Sequence, residues 1–365
     1  MEHCPIVSSM SSRLGHQGHW SRTDTTPDIG SRSRDRSRGG RVFAHGASTF
    51  AAFLLVLLLA VLPACAGDAR GGEGRLNVVT TIGMITDIVE RVGGDRVVVT
   101  GLMGPGVDPH LYKASAGDVR RLSSAEVIFY NGLHLEAAMA ELLQQMDGRT
   151  RTRAVTDGVS PNRLLTPPEF EGQYDPHLWS DVTLWMSAVE TVAETLAEVD
   201  PEGKEHYREN AAALLEELEE LHEWVRERVE ELPLARRVLV TAHDAFNYFG
   251  KAYGFEVEAL QGLSTATEAG TGDVQRLARL ITDREIPAIF IESSIPRRNV
   301  EAVQAAVRSR GGEVEIGGML FSDALGDPGT EEGTYAGMIR HNVNTIVGAL
   351  SSGVEPDRVA ETEGG

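Results

Sequence analysis

The stretch DPEGKEHYRENAAALLEELEELHEWVRERVEEL, residues 200–232, sets the strongest limit on how this chain can fold. Leu214, Leu218, Leu221, Val225, Val229 and Leu232 recur every three or four positions, which gives a charged helix one apolar face. Asp200-Pro201 supplies a cap and a first-turn pair. Roughly 30 residues at ~1.5 Å each make a rod of about 45 Å, long enough to run across two lobes.

On both sides of that rod, short β-branched runs alternate with helical stretches. LNVVTT (76–81), RVVVTG (96–101) and VIFYN (127–131) read as buried strands of a parallel sheet. MITDIVERVGG, AGDVRRLSS and LEAAMAELLQQM (135–146) read as helices, the first stopped by Gly93-Gly94. Residues 148–176 are polar and turn-rich, with Pro161, Pro167, Pro168 and Pro176, and read as an irregular connection. DVTLWMSAVETVAETLAEV then forms a helix before the long one. After it, RVLVTA (237–242), EVEAL (256–260), PAIFIESS (287–294) and EVEI (313–316) read as strands. DVQRLARLITDREI and RNVEAVQAAVRSRGG supply helices between them, and EGTYAGMIRHNVNTIVGAL closes the series. The expected class is α/β, two β/α lobes joined by one long helix. The lobes are placed at 76–178 and 235–355, with a helical linker at 179–234 and a disordered tail at 356–365.

The beginning of the chain has a different character. Residues 1–41 are rich in Ser, Gly and Arg and lack an apolar period, which predicts no structure. FAAFLLVLLLAVLPAC (50–65) follows, with basic residues before it and small residues at its end. It is short of the ~20 residues of a membrane span and matches a secretory h-region. Its ending, Leu62-Pro63-Ala64-Cys65, resembles a bacterial lipobox, in which the cysteine is lipidated and becomes the new N-terminus; Pro63 departs from that pattern. An ordinary cleaved signal and an N-terminal anchor helix are the alternatives, and a start downstream of Met1 would shorten the long lead. Cys4 and Cys65 are the only cysteines, so processing at Cys65 leaves no disulfide pair. The expected mature chain follows a short linker at 66–75. Residues 1–65 carry a net charge of +3 and the remainder −23. An acidic body of this kind excludes nonspecific nucleic-acid binding and favours cations.

The chain writes DPHL twice, around His110 and His177, each time with an aromatic residue two places after the histidine. Asp-Pro makes a rigid turn. Chance accounts for two such turns unless both histidines serve one point. His110 follows RVVVTG, His177 leads into a helix, and His243 follows RVLVTA directly. Ligands of open α/β sheets sit outside the carboxyl ends of strands. Asp323, in the loop after the last C-lobe strand, occupies the same kind of position. Three imidazoles and a carboxylate complete a shell for one divalent ion. Glu292 in FIESS is the rival fourth ligand. His206, His222 and His341 lie on helices and read as packing or surface residues, while His134 in NGLHLE follows a strand and stays open.

Residues ~75–352 resemble the zinc/manganese solute-binding lipoproteins of bacterial ABC importers, the TroA-like group. The phrases that carry the resemblance are GVDPHLYKASAGDV, YDPHLWSDVTLW, VTAHDAFNYFGKAYGFEVEALQGLSTATEAG, IPAIFIESSIP and IGGMLFSDALGDPGTEEGTYAGMIRHN. The resemblance implies the metal ligands His110, His177, His243 and Asp323, in a cleft between two lobes bridged by a rigid helix. It implies an exported, monomeric receptor that hands one Zn²⁺ or Mn²⁺ to a permease and its ATPase, tethered by lipid on Cys65. Asp108 and Asp175 are then expected to orient the rings of their own turns or to cap those turns, and Asp244 to support its loop.

His243 stands where manganese-dedicated members often carry glutamate, and a nitrogen-rich shell suits Zn²⁺. The His-rich loop of zinc-dedicated members has no counterpart in residues 148–176. A zinc-dependent hydrolase is the competing reading; it needs an open coordination position and a base, for which Glu292 is the candidate. A metal-binding adhesin differs in its partner and shares the site. Acid is expected to weaken binding near the ordinary imidazole pKa of about 6.5.

Overall fold

The computed structural model describes residues 74–168 and 172–351. The N-terminal extension, the secretory segment with Cys65, most of the 66–75 linker and the 356–365 tail lie outside the described residues. Among the described residues no helix is long and apolar enough to cross a membrane.

The N-terminal lobe is one parallel sheet of order β2-β1-β3-β4, built from Leu76–Thr80, Val97–Gly101, Val127–Tyr130 and Arg151–Ala154. Helices α1 (Gly83–Gly93), α2 (Ala116–Ser124) and α3 (Ala140–Asp147) cross between its strands. Strand β4 falls inside the stretch read as irregular. Its sequence, RTRA, has no apolar run because it is an edge strand beside β3 with Arg151 exposed. The helix expected over 135–146 begins as a 3₁₀ turn, Ala137–Met139, and only then becomes α3.

After α4 (Val182–Val199), the chain makes a 3₁₀ turn at Pro201–Gly203 and enters α5, Lys204–Glu230. The 27 residues of α5 span about 40 Å. It starts later than expected because the Asp200 carboxylate caps nothing. It instead takes Arg96 Nε at 2.8 Å and the Tyr207 hydroxyl at 2.7 Å, stitching the helix to the N-terminal lobe. Tyr207, Ala211, Leu214, Leu218, Leu221, Val225 and Val229 are buried along one stripe. They share one apolar cluster with Val78, Ile85 and Phe129 of the first lobe and Phe249, Phe290 and Val343 of the second. Each such large side chain contributes about 1.5–3 kcal/mol of transfer free energy, so the helix is held from both ends.

The C-terminal lobe holds two parallel pairs, β5-β6 (Val238–Thr241, Glu256–Ala259) and β7-β8 (Ala288–Glu292, Glu315–Leu320), with β5 against β7. Helices α7 (Thr271–Asp283) and α8 (Arg298–Ser309) pack on these strands around a second core, while α6 (Asn247–Tyr253) and α9 (Tyr335–Leu350) join the cluster that runs along α5. Strand β8 runs four residues past the expected end at Ile316. Gly317-Gly318, just past that end, is a bulge: Ile289 pairs with Ile316 and Phe290 with Gly318. A Cβ on residue 317 would lie 2.6 Å from Ala349 Cβ, and residue 318 has φ of 143°. Only glycine fits there, and the strand continues toward Asp323.

Candidate metal centre

Each of the four expected side chains sits beyond the carboxyl end of a parallel strand. His110 follows β2, His177 lies in the connection after β4, His243 follows β5 and Asp323 follows β8. Their donor atoms lie within 4.8 Å of one another, and all four residues are buried. His110 Nε2 is 3.2 Å from His177 Nε2 and 3.8 Å from Asp323 Oδ2. His177 Nε2 is 3.6 Å from Asp323 Oδ1, and His243 Nε2 is 3.2 Å from Asp323 Oδ2. A tetrahedral ion with bonds of about 2.0–2.1 Å holds its donors about 3.3 Å apart.

Hydrogen bonding leaves these atoms pointed at a common centre. His243 Nε2 and both Asp323 oxygens are fully buried and have no hydrogen-bond partner; the 3.2 Å contact between them is an ion-pair distance without hydrogen-bond alignment. Buried polar atoms are ordinarily satisfied, so three orphans converging on one point fit a cation better than they fit each other.

Two rings are fixed from behind. His177 Nδ1 lies 2.8 Å from Asp175 Oδ1, which also accepts the His177 backbone N–H at 2.9 Å. Glu292 does the same for His243: Oε1 accepts its backbone N–H at 2.8 Å and Oε2 holds its Nδ1. In each case Nδ1–H donated backward leaves the Nε2 lone pair forward. Both oxygens of Glu292 are engaged with His243, which places this carboxylate behind the histidine and outside the converging set. Its holding role was not anticipated; its position at the end of a strand beside the His243 strand is the signal that carried it.

Asp108 differs from Asp175. Its Oδ1 caps the His110 backbone N–H at 2.9 Å, and its Oδ2 accepts the Thr265 hydroxyl at 2.6 Å, so it does not touch the His110 ring. Asp244 contacts no site histidine among the described hydrogen bonds; burial raises its carboxyl to about 6, against a hydrogen bond from Asn247 that lowers it. The two aromatic residues after the DPHL turns diverge. Tyr112 donates to Asp118 in the capping box of α2, while Trp179 stands edge-on to His177, 5.3 Å between centroids, and donates to Ser322 O at 2.7 Å.

Electrostatics are strongly coupled. Burial depresses His110 to about 3. Burial also opposes charge on His243, but Asp323 and Glu292 outweigh it and hold that imidazole well above its usual value. Asp323 is pushed up by burial and pulled further down by His243, ending well below the usual carboxylate range.

Three other histidines among the described residues have local partners. His206 meets Gly93 O, His222 the Tyr253 hydroxyl and His341 Met319 O. His134 is exposed, in a left-handed turn with φ of 67°, and is not among the converging residues.

Residues 78–349 match the family described as ZnuA, zinc-uptake complex component A, periplasmic. The zinc-binding protein TroA of Treponema pallidum (strain Nichols) is 52% identical over 279 residues, covering 76% of this chain and 90% of TroA. The manganese-binding lipoprotein MntA of Bacillus subtilis (strain 168) is 46% identical over 292 residues, 79% of this chain and 95% of MntA. The solved structure of periplasmic zinc binding protein TroA from Treponema pallidum aligns with a TM-score of 0.74 at 52% identity, covering 76% of this chain and 99% of that one.

Proposed function

The chain belongs to the ZnuA family of periplasmic zinc-uptake components, and from that premise we propose that it captures one Zn²⁺ or Mn²⁺ outside the cytoplasm and delivers it to an ABC-type importer. It is a transport receptor and not an enzyme. His110, His177, His243 and Asp323 are the proposed ligands, with Asp175 and Glu292 holding two of the rings. The observation that carries this reading is the convergence of orphaned, buried donors at tetrahedral spacing.

The three-nitrogen, one-oxygen set favours Zn²⁺ over Mn²⁺ in affinity, as the Irving–Williams order requires. One relative named for zinc, at 52% identity, and one named for manganese, at 46%, fit a site that accepts either metal. A hydrolase would need a free base beside the ion, and Glu292 is spent on His243. The permease and ATPase are the receiving partners. Lipid on Cys65, a monomeric state and lobe limits at 76–178 and 235–355 complete the proposal; LPAC before an acidic body supports the tether.

The test is Zn²⁺ titration of stripped protein. His243→Ala and Asp323→Ala are expected to lose most affinity while His222→Ala keeps it. Unchanged binding in His243→Ala overturns the ligand set. Metal content of protein taken from its own envelope identifies the cargo.

A further inference from the structure

His177 belongs by chain order to the first lobe, yet its turn is fastened to the second. Two consecutive residues at the start of α6 grip Asp175, the residue that orients the His177 ring. Asn247 Nδ2 donates to Asp175 Oδ2 at 3.1 Å, leaving Oδ1 for His177. The Tyr248 hydroxyl donates to the Asp175 carbonyl at 3.0 Å and accepts the Leu165 N–H at 3.0 Å. The next residue, Phe249, donates its N–H to Ser180 Oγ, whose hydroxyl in turn donates to the His177 carbonyl. Beyond it, Trp179 Nε1 reaches Ser322 O, next to Asp323. Toward the first lobe, Asn131 Nδ2 donates to Pro176 O at 3.0 Å, the Asp175 N–H donates to Leu165 O at 2.9 Å, and the His177 ring meets that of His110.

We propose that Asn247 and Tyr248 are positioning residues for His177, fastening its turn to the C-terminal lobe so that His177, His243 and Asp323 keep their spacing as one body. This deepens the receptor reading above and rests on it. The chemistry follows from the geometry. Asp175 can hold the His177 Nδ1–H in line only if its carboxylate is itself held, and Asn247 holds the second oxygen while Tyr248 fixes the backbone of the same residue. Tyr248 is fully buried with both hydroxyl functions used, so its hydroxyl is committed to this turn. Three of the four donors are then held by one lobe, while the His110 turn meets that lobe through the hydrogen bond from Thr265 to Asp108.

The test uses Asn247→Ala and Tyr248→Phe in the otherwise intact protein, with Asn247→Ala, half-buried, as the variant that folds most readily. Zn²⁺ affinity by chelator competition is expected to fall about 10–100-fold, as for other groups that orient a ligating histidine, mainly through faster dissociation. The visible spectrum of Co²⁺-loaded protein is expected to change shape, which a role in stability alone would not cause. In an Asp175→Ala background, Asn247→Ala should have no further effect on affinity. Parent affinity, dissociation rate and Co²⁺ spectrum in both variants overturn the inference, as does a full additional loss in the Asp175→Ala background. His243→Ala run alongside separates the two failures: if it retains the metal, the ligand set itself is wrong and the inference falls with it; if it loses the metal, only the positioning role is at stake.

Discussion

Replacing Glu292 by glutamine keeps the volume and changes only what faces His243. The carboxylate accepts from both the backbone N–H and Nδ1 of that histidine. An amide has one acceptor oxygen, so its NH₂ must face one of those two donors. The histidine escapes the clash by moving its proton from Nδ1 to Nε2, the atom 3.2 Å from Asp323 Oδ2. A protonated Nε2 cannot coordinate, and turning it back costs the lost hydrogen bond. The expected penalty is about 10–100-fold in Zn²⁺ affinity, or about 1.4–2.7 kcal/mol. Competitive titration against a chelator of known affinity measures it, and histidine ¹⁵N NMR of the metal-free protein, at a pH above the raised His243 pKa where the ring is neutral, reads the tautomer. Affinity within two-fold of the parent, or an unchanged tautomer, rules out this role for Glu292.

Metal uptake should release about one proton near neutral pH. The His243 pKa is raised well above its ordinary value, so the proton present in the metal-free site must leave before Nε2 binds. Affinity therefore rises with pH until that raised pKa is passed, and the acid weakening starts above 6.5, the onset expected from an unperturbed imidazole. Calorimetry in buffers of different ionisation enthalpy counts the proton; a buffer-independent enthalpy contradicts it. Asp87→Asn should stabilise the protein by about 1–3 kcal/mol above pH 6 and by nothing below pH 4. Burial raises this carboxyl from 3.8 to about 6, so its contribution is full at low pH and lost as pH rises through about 6; chemical denaturation at pH 4 and pH 8 is the check. Leu221→Ala, at a fully buried position of α5, should cost about 2–5 kcal/mol in the same assay.

Much of this was legible because the site and the fold share one rule. Parallel strands leave their ligands at carboxyl ends, so DPHL written twice, His243 after RVLVTA and Asp323 after the last strand could be gathered from linear positions. What escaped was carried by long-range contacts. RTRA has no periodicity that marks it as an edge strand, since its stabilising neighbour, β3, lies in another segment. The continuation of β8 past Ile316 runs through the Gly317-Gly318 bulge, which is set by its pairing with β7 and by Ala349, both in other segments. The divergence of Asp108 from Asp175 depends on Thr265 and Asn247, far away in the chain. Two identical phrases thus support their histidines in different ways, and nothing within the phrases distinguishes them.

X-ray absorption of the Zn²⁺-loaded protein reads the ligand shell itself. One ion per chain is expected, with three imidazole nitrogens and one carboxylate oxygen at about 2.0–2.2 Å, and an imidazole contribution should be lost in any species still loaded after His243→Ala. A shell dominated by oxygen, a second ion, or an unchanged spectrum in that variant would contradict it.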